Sequence, residues 1–242
     1  MMLLPLLAVA SCLVNVASAF SAIAPTAPAA LSTGSSGSIL DSLRATPLIR
    51  ASDSQPIALP SQWRSGTPFG IADEVAVVAF LRHFGLFLCW EHAEQLKSRV
   101  LPATASGAGS GKVFFVGVGT SEAAAEFARQ LDIDPRLCFG DEGGAAGDAL
   151  NLKKGVGTMW NPPAVGAMME RNDQESLTAL GEAYKNAADN IGIQSLAPRE
   201  IKDTLRQGGT FVFKGEELLL EHYDDKVGDN ASIDDILACI SR

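Results

Sequence analysis

The stretch Val75-Ala-Val-Val-Ala-Phe-Leu-Arg-His-Phe-Gly-Leu-Phe-Leu-Cys-Trp-Glu91 decides how the chain is read. Its first half is an unbroken apolar run, the pattern of a strand covered on both faces. The His83-Phe84-Gly85 stretch then turns the chain, and Cys89, Ala93, Leu96 and Val100 recur at helical spacing on one apolar face. A strand and a short turn thus deliver one cysteine, Cys89, to the start of a helix. There the helix dipole favours the thiolate by roughly 0.3–1 kcal/mol. The position three residues earlier, where a Cys-x-x-Cys pair would place its other thiol, is Leu86.

Further along, Val113 to Val118 is a second buried strand. Thr120 or Ser121 caps a helix whose Ala124, Phe127, Ala128 and Leu131 share a face. This strand-helix-strand-helix order implies parallel strands. Leu137 to Phe139 is compatible with a short strand, and Gly143 to Gly157 gives no clear pattern. An insertion begins near Trp160-Asn161-Pro162-Pro163 and carries a helix over Gln174 to Ile191. Thr210 to Lys214 and Leu218 to Tyr223 flank Gly215-Glu216 as a β-hairpin. Ser232, with Asp235 three residues on, caps a last helix whose Ile233, Ile236, Leu237 and Ile240 form its apolar face.

Residues 1–19 read as a signal peptide: an apolar run free of lysine and arginine, closed by the small-x-small pattern Ala17-Ser18-Ala19. No stable membrane span is expected once it is cleaved. Residues 20–60, rich in Ala, Ser and Pro, read as a transit peptide or disordered linker. This leaves a single domain over residues 65–242. The 28 acidic side chains against 19 basic ones speak against nucleic acid and anionic membrane surfaces as partners. Of the four cysteines, Cys12 belongs to the signal, and the remaining Cys89, Cys138 and Cys239 are odd in number and widely spaced, unlike a disulfide framework.

Nothing points to a cofactor or metal. His83 and His222 stand without metal-ligand spacing. Gly117-x-Gly119 sits between strand and helix as in a dinucleotide site, but Glu122 occupies the third glycine position. Gly109-Ser-Gly-Lys112 is followed by a strand rather than by the helix of a phosphate loop. Asn230-Ala231-Ser232 is a formal glycosylation sequon whose serine is already engaged as a helix cap.

Six blocks in order carry a resemblance: Phe80–Gly85, Cys89–Glu91, Val116–Glu122, Trp160–Ala164, Gln207–Gly215 and Gly228–Leu237. From Val75 onward the chain resembles the peroxiredoxin-like family of alkyl-hydroperoxide-reductase and thiol-specific-antioxidant type, in its plastid thioredoxin-like branch. The resemblance implies an α/β thioredoxin-like fold, a central mixed sheet flanked by helices with a helical insertion before the C-terminal hairpin. It also implies a thiol-dependent antioxidant oxidoreductase with Cys89 as its catalytic residue. With Leu86 in place of the family's first cysteine, an internal dithiol cycle is impossible. An external donor, thioredoxin or glutathione, would have to resolve Cys89 after its attack on a peroxide or disulfide.

By the same resemblance Gly209 holds the place of the cis-proline of thioredoxins. Arg82 and Arg206 are the candidates for a thiolate-stabilising arginine, and His92, one turn beyond Cys89, for a positive charge or proton relay. The Ala17-Ser18-Ala19-Phe20 junction resembles the bipartite presequence of algae with red-lineage plastids and implies plastid import, with secretion as the alternative. Against catalysis, Cys89, Cys138 and Cys239 all read equally as small buried hydrophobes. The chain would then be a redox-inactive thioredoxin-fold module binding a plastid partner through the insertion from Trp160 to Ile193.

Overall fold

The computed structural model describes residues 36–66, 73–106, 111–156 and 161–241. All of residues 1–35, which hold the expected signal peptide and the start of the expected linker, together with Gly109, Ser110, Gly157 and Trp160, lie outside them. One mixed sheet of seven strands organises the rest. Its centre is β3 (Val75–His83), paired in parallel with β4 (Lys112–Val118), which pairs in parallel with β5 (Cys138–Gly140). On the other side, β3 pairs antiparallel with β6 (Gly209–Lys214), which closes a hairpin with β7 (Glu217–Tyr223). A short antiparallel pair, β1 (Leu48–Arg50) and β2 (Pro56–Ile57), extends the far edge beyond β5.

Side-chain alternation sorts the central strands onto two cores. Val77, Ala79 and Leu81 of β3, with Val113 and Phe115 of β4, face one apolar cluster. Ala76, Val78 and Phe80, with Phe114 and Val116, face the other. Both faces are covered, which is why these strands read as continuous apolar runs.

Helices cover the first face. Helix α2 (Phe87–Gln95) continues through a π-turn at Leu96–Val100 into α3 (Leu101–Ser106), so the expected single helix widens just before Pro102, which brings no N–H to the ladder. Helix α4 (Ser121–Gln130) starts at Thr120, whose hydroxyl accepts the Ala123 N–H at 3.2 Å. The last helix, α10 (Ile233–Ile240), starts at Ser232, which accepts the Asp235 N–H at 3.4 Å. Between β5 and the hairpin lie α5 (Ala145–Ala149) and an insertion of four helices: α6 (Pro162–Arg171), α7 (Gln174–Ile191), α8 (Ile193–Leu196) and α9 (Ile201–Thr204). Of these, α7 completes the first face through Leu180 and Ala187. Strand-helix-strand-helix, an insertion, then hairpin and helix on a mixed sheet is the thioredoxin-like fold.

The expectation of a disordered linker running to residue 60 is corrected from residue 36 onward. Helix α1 (Ser36–Ala45) buries Ile39, Leu40 and Leu43 against the second face, joined by Leu48 and Leu59. Trp63 seals that face: its indole N–H donates to the Gly215 carbonyl at 2.9 Å and its ring stacks on Phe213 at 5.6 Å. The folded domain therefore includes residues 36–63 ahead of the expected start at 65. This segment shares the second face of the sheet with Ala146, Leu150 and Leu152, and its burial offsets the ordering entropy that its composition alone does not.

The glycine-rich stretch after β5 also has a physical account. Cβ atoms at Gly144 and Gly147 would stand 2.7 Å or less from carbons of Arg206, so these glycines make room for a buried guanidinium. Arg206 donates to Asp148 at 2.7 Å and sits 1% exposed.

Candidate functional site

The turn between β3 and α2 is fixed from three sides. Phe84 lays its ring over Gly117 and Gly119, where a Cβ would come within 2.7 Å and 3.1 Å of ring carbons. That close approach is the use of the Gly117-x-Gly119 pair, which seats an aromatic ring. The Trp90 indole N–H donates to the Phe84 carbonyl at 2.6 Å, and the Tyr184 hydroxyl of α7 donates to the Gly85 carbonyl at 2.8 Å. Trp90 and Tyr184 meet edge to face at 5.4 Å.

This scaffold places Cys89 in the first turn of α2, with its N–H donating to the Leu86 carbonyl at 2.9 Å. Leu86, the N-cap residue, satisfies no orphan helix N–H with its side chain. Cys89 is 6% exposed, on the wall of a cavity of about 10 Å³, room for about one water. Leu81, Arg82, Leu86 and Asp224 share that wall. Burial pushes the Cys89 thiol up, while the backbone N–H groups of His83 and Arg82 and the Arg82 guanidinium pull the other way, and the Asp224 carboxylate pushes it further up.

Arg82 is the one of the two candidate arginines that belongs to this site. It sits where the β3–β4 register shifts, between Leu81 and His83, which turns its side chain under the sheet end. There its guanidinium donates to the carbonyls of Arg206 at 2.9 Å and Thr204 at 2.6 Å. Burial lowers its own pKa, and the Cys89 and Asp224 charges partly restore it. Arg206 faces Asp148 instead and does not line the Cys89 cavity.

Asp224, one residue past β7, is the member of the site that the motif reading missed. It is 4% exposed, and burial raises its carboxyl to about 6 against the pull of His222. His222, by contrast, is raised to about 9 by its hydrogen bond to Asp224, at 3.4 Å, and by the Asp229 carbonyl. The sequence signal was available only as proximity of Asp224 to the hairpin end. Nothing local says that the hairpin returns the chain to Cys89.

The expected charge at His92 is corrected. Burial, with Arg171 and His222 nearby, lowers its pKa to about 4, so it is neutral at pH 7. His92 lines a neighbouring pocket rather than the cysteine cavity. His83 is buried and likewise held neutral by burial, at about 3. Gly209 opens β6 opposite Phe80, and among the described residues no peptide bond is cis. Cys138 lies wholly in the core, where burial raises its thiol, and Cys239 is buried on α10 with its thiol pointing to the Leu219 carbonyl at 3.7 Å. All three described cysteines are free.

Among the described residues no group of three or more His, Cys, Asp or Glu is placed to hold a metal ion, and no helix is long and apolar enough to cross a membrane. Comparison with known families finds a match over residues 95–226 to the model described as AhpC/TSA antioxidant enzyme. The matched stretch runs from the end of α2 to just past the hairpin and does not reach back to Cys89. No curated protein and no solved structure matches the chain.

Proposed function

Because the chain belongs to the AhpC/TSA antioxidant enzyme family, we propose that it is a thiol-dependent peroxide reductase working through Cys89 alone. The observation that carries this reading is the shared wall of one small cavity, which Cys89, Arg82 and Asp224 line together. A cation and two backbone N–H groups at the sulfur favour thiolate, the nucleophilic form, against the larger upward push of burial. The size of the cavity suits a peroxide as the oxidant: a hydroperoxide group fits by displacing about one water.

In the first step the sulfur attacks the peroxide, forming an S–O bond as the O–O bond breaks. Cys89–SH and ROOH give Cys89–SOH and ROH, and the thiol proton ends on the departing oxygen. Asp224, with its carboxyl at about 6, is ionised at pH 7 and is placed to accept that proton and pass it on. An external thiol then forms a mixed disulfide with release of water. A second thiol frees Cys89 and leaves with the disulfide. Leu86 excludes an internal resolving partner in this motif. We also propose that residues 1–35 deliver the chain to a plastid, on the strength of the Ala17-Ser18-Ala19-Phe20 junction.

Steady-state consumption of hydrogen peroxide, with glutathione or thioredoxin as donor, tests the reading. Turnover is expected from the folded domain and not from the Cys89→Ser variant. Equal rates from both would remove it. The depth of Cys89, and the upward push of burial on its thiol, favour a second reading: a redox-inactive module that binds a plastid partner through the insertion. Under that reading Cys89→Ser leaves every measured property except stability unchanged.

A further inference from the structure

Helix α6 of the insertion is fastened at both ends to elements that wall the Cys89 cavity. At its start, the Asn161 side-chain amide donates to the Val227 carbonyl at 2.7 Å, next to Gly228 of the cavity wall. At its end, Arg171 donates to the Glu91 carboxylate at 3.2 Å and the Asn172 amide donates to it at 3.0 Å. Glu91 stands two residues beyond Cys89 on α2. Between the two ends, Ala164 backs the wall: a Cβ on Gly228 would lie 2.7 Å from the Ala164 Cβ and 4.0 Å from Leu88, which also lines the cavity.

We infer that α6 is a lid behind the Cys89 cavity, latched by Glu91, and that the latch sets how readily anything larger than hydrogen peroxide reaches the sulfur. Glu91 is thereby a positioning residue, acting through α6 rather than on the oxidant. The inference builds on the peroxide reading above and names what governs the size of its substrate.

Three observations mark the contact as a latch. The Glu91 carboxylate is 2% exposed and accepts from Arg171 and Asn172 of the insertion as well as from Gln95 of its own helix. A carboxylate taken that far out of water is costly without its donors, so the site holds α6 down while α6 shields it. The donors themselves reach in from the solvent side, since the Arg171 side chain is 43% exposed. Finally, little else secures α6. Among its described side chains the buried apolar ones are Ala164 and Met168, and Gly166, with nothing within 4 Å of its Cβ position, weakens the helix interior. An element with so little buried apolar contact opens locally before the whole fold does. When α6 lifts, Gly228 and Leu88 lose their backing and the cavity of about 10 Å³ widens.

Alkylation by N-ethylmaleimide, followed by peptide mass spectrometry of the folded protein, reads the lid without peroxide chemistry. Arg171→Gln and Asn172→Ala should each speed alkylation of Cys89 about tenfold, about what loss of one hydrogen bond to a charged group gives. Cys138, in the core on the sheet, should keep its rate. Arg171→Lys retains the charge and should stay within about threefold of the natural chain. In the peroxide-consumption assay, Arg171→Gln should raise turnover of cumene hydroperoxide relative to hydrogen peroxide. A Cys89 alkylation rate unmoved by both substitutions would overturn the inference, as would equal acceleration at Cys89 and Cys138, which reports a loosened fold. If alkylation of Cys89 speeds up in the variants while no peroxide is consumed, the lid stands and the peroxidase reading falls.

Discussion

Leu86 stands one helical turn before Cys89, so Leu86→Cys places two thiols at the spacing of a dithiol motif on a helix start. The variant should form an internal disulfide under mild oxidation, read as loss of two free thiols and two mass units, and should gain disulfide-reductase activity that the natural chain lacks. Two thiols that stay reduced would mean that Cys89 is held away from the helix N-terminus. The electrostatics of Cys89 give a second prediction. Its thiol lies above the ordinary value of 9.0 because of burial, so its rate of alkylation should keep climbing with pH past 9 rather than levelling near neutrality. Asp224 contributes to that upward push, so Asp224→Asn should speed alkylation at pH 8 while slowing peroxide turnover, where the carboxylate carries the proton. A parallel loss of both rates would show that Asp224 only supports the fold.

Helix α1 is the element whose role departs most from expectation. Leu43, 1% exposed beneath the sheet, should cost about 2–5 kcal/mol on substitution by alanine, measured as a drop in urea unfolding free energy. A loss below about 0.5 kcal/mol would return the segment to a loosely attached linker. The central elements were legible in the sequence because periodicity states burial directly: β3, β4, α4 and α10 carry it in unbroken runs or repeated spacings. Helix α1 and strands β1 and β2 were not. The strands span three and two residues, too short to show a period, and the helix is embedded in Ala- and Ser-rich chain. The site was half legible. Cys89 follows from its strand-turn-helix, whereas Asp224 and the choice of Arg82 over Arg206 depend on a register shift and a hairpin return that local residues do not encode.

At the scale of the whole molecule, one sheet with apolar clusters on both faces ties the fate of the site to global stability. His222 is raised to about 9, chiefly by its bond to Asp224, so the stability it contributes is complete below pH 6.5 and is lost as pH rises through 9. Asp224 works earlier: with its carboxyl raised to about 6, folding is progressively disfavoured as pH climbs from 3.8 through 6. The urea midpoint should therefore fall on the alkaline side, and His222→Gln should flatten the fall between pH 6.5 and 9. A midpoint unchanged by that substitution across the window would separate the His222–Asp224 pair from folding. The claim on which the rest depends is that Cys89 is oxidised by peroxide in the folded domain. Treating the protein with one equivalent of hydrogen peroxide in the presence of dimedone, followed by peptide mass spectrometry, measures this directly. A dimedone adduct at Cys89, absent at Cys138 and Cys239 and formed without loss of structure, is the predicted result. An unmodified Cys89, or an adduct that appears only when the protein unfolds, would contradict it.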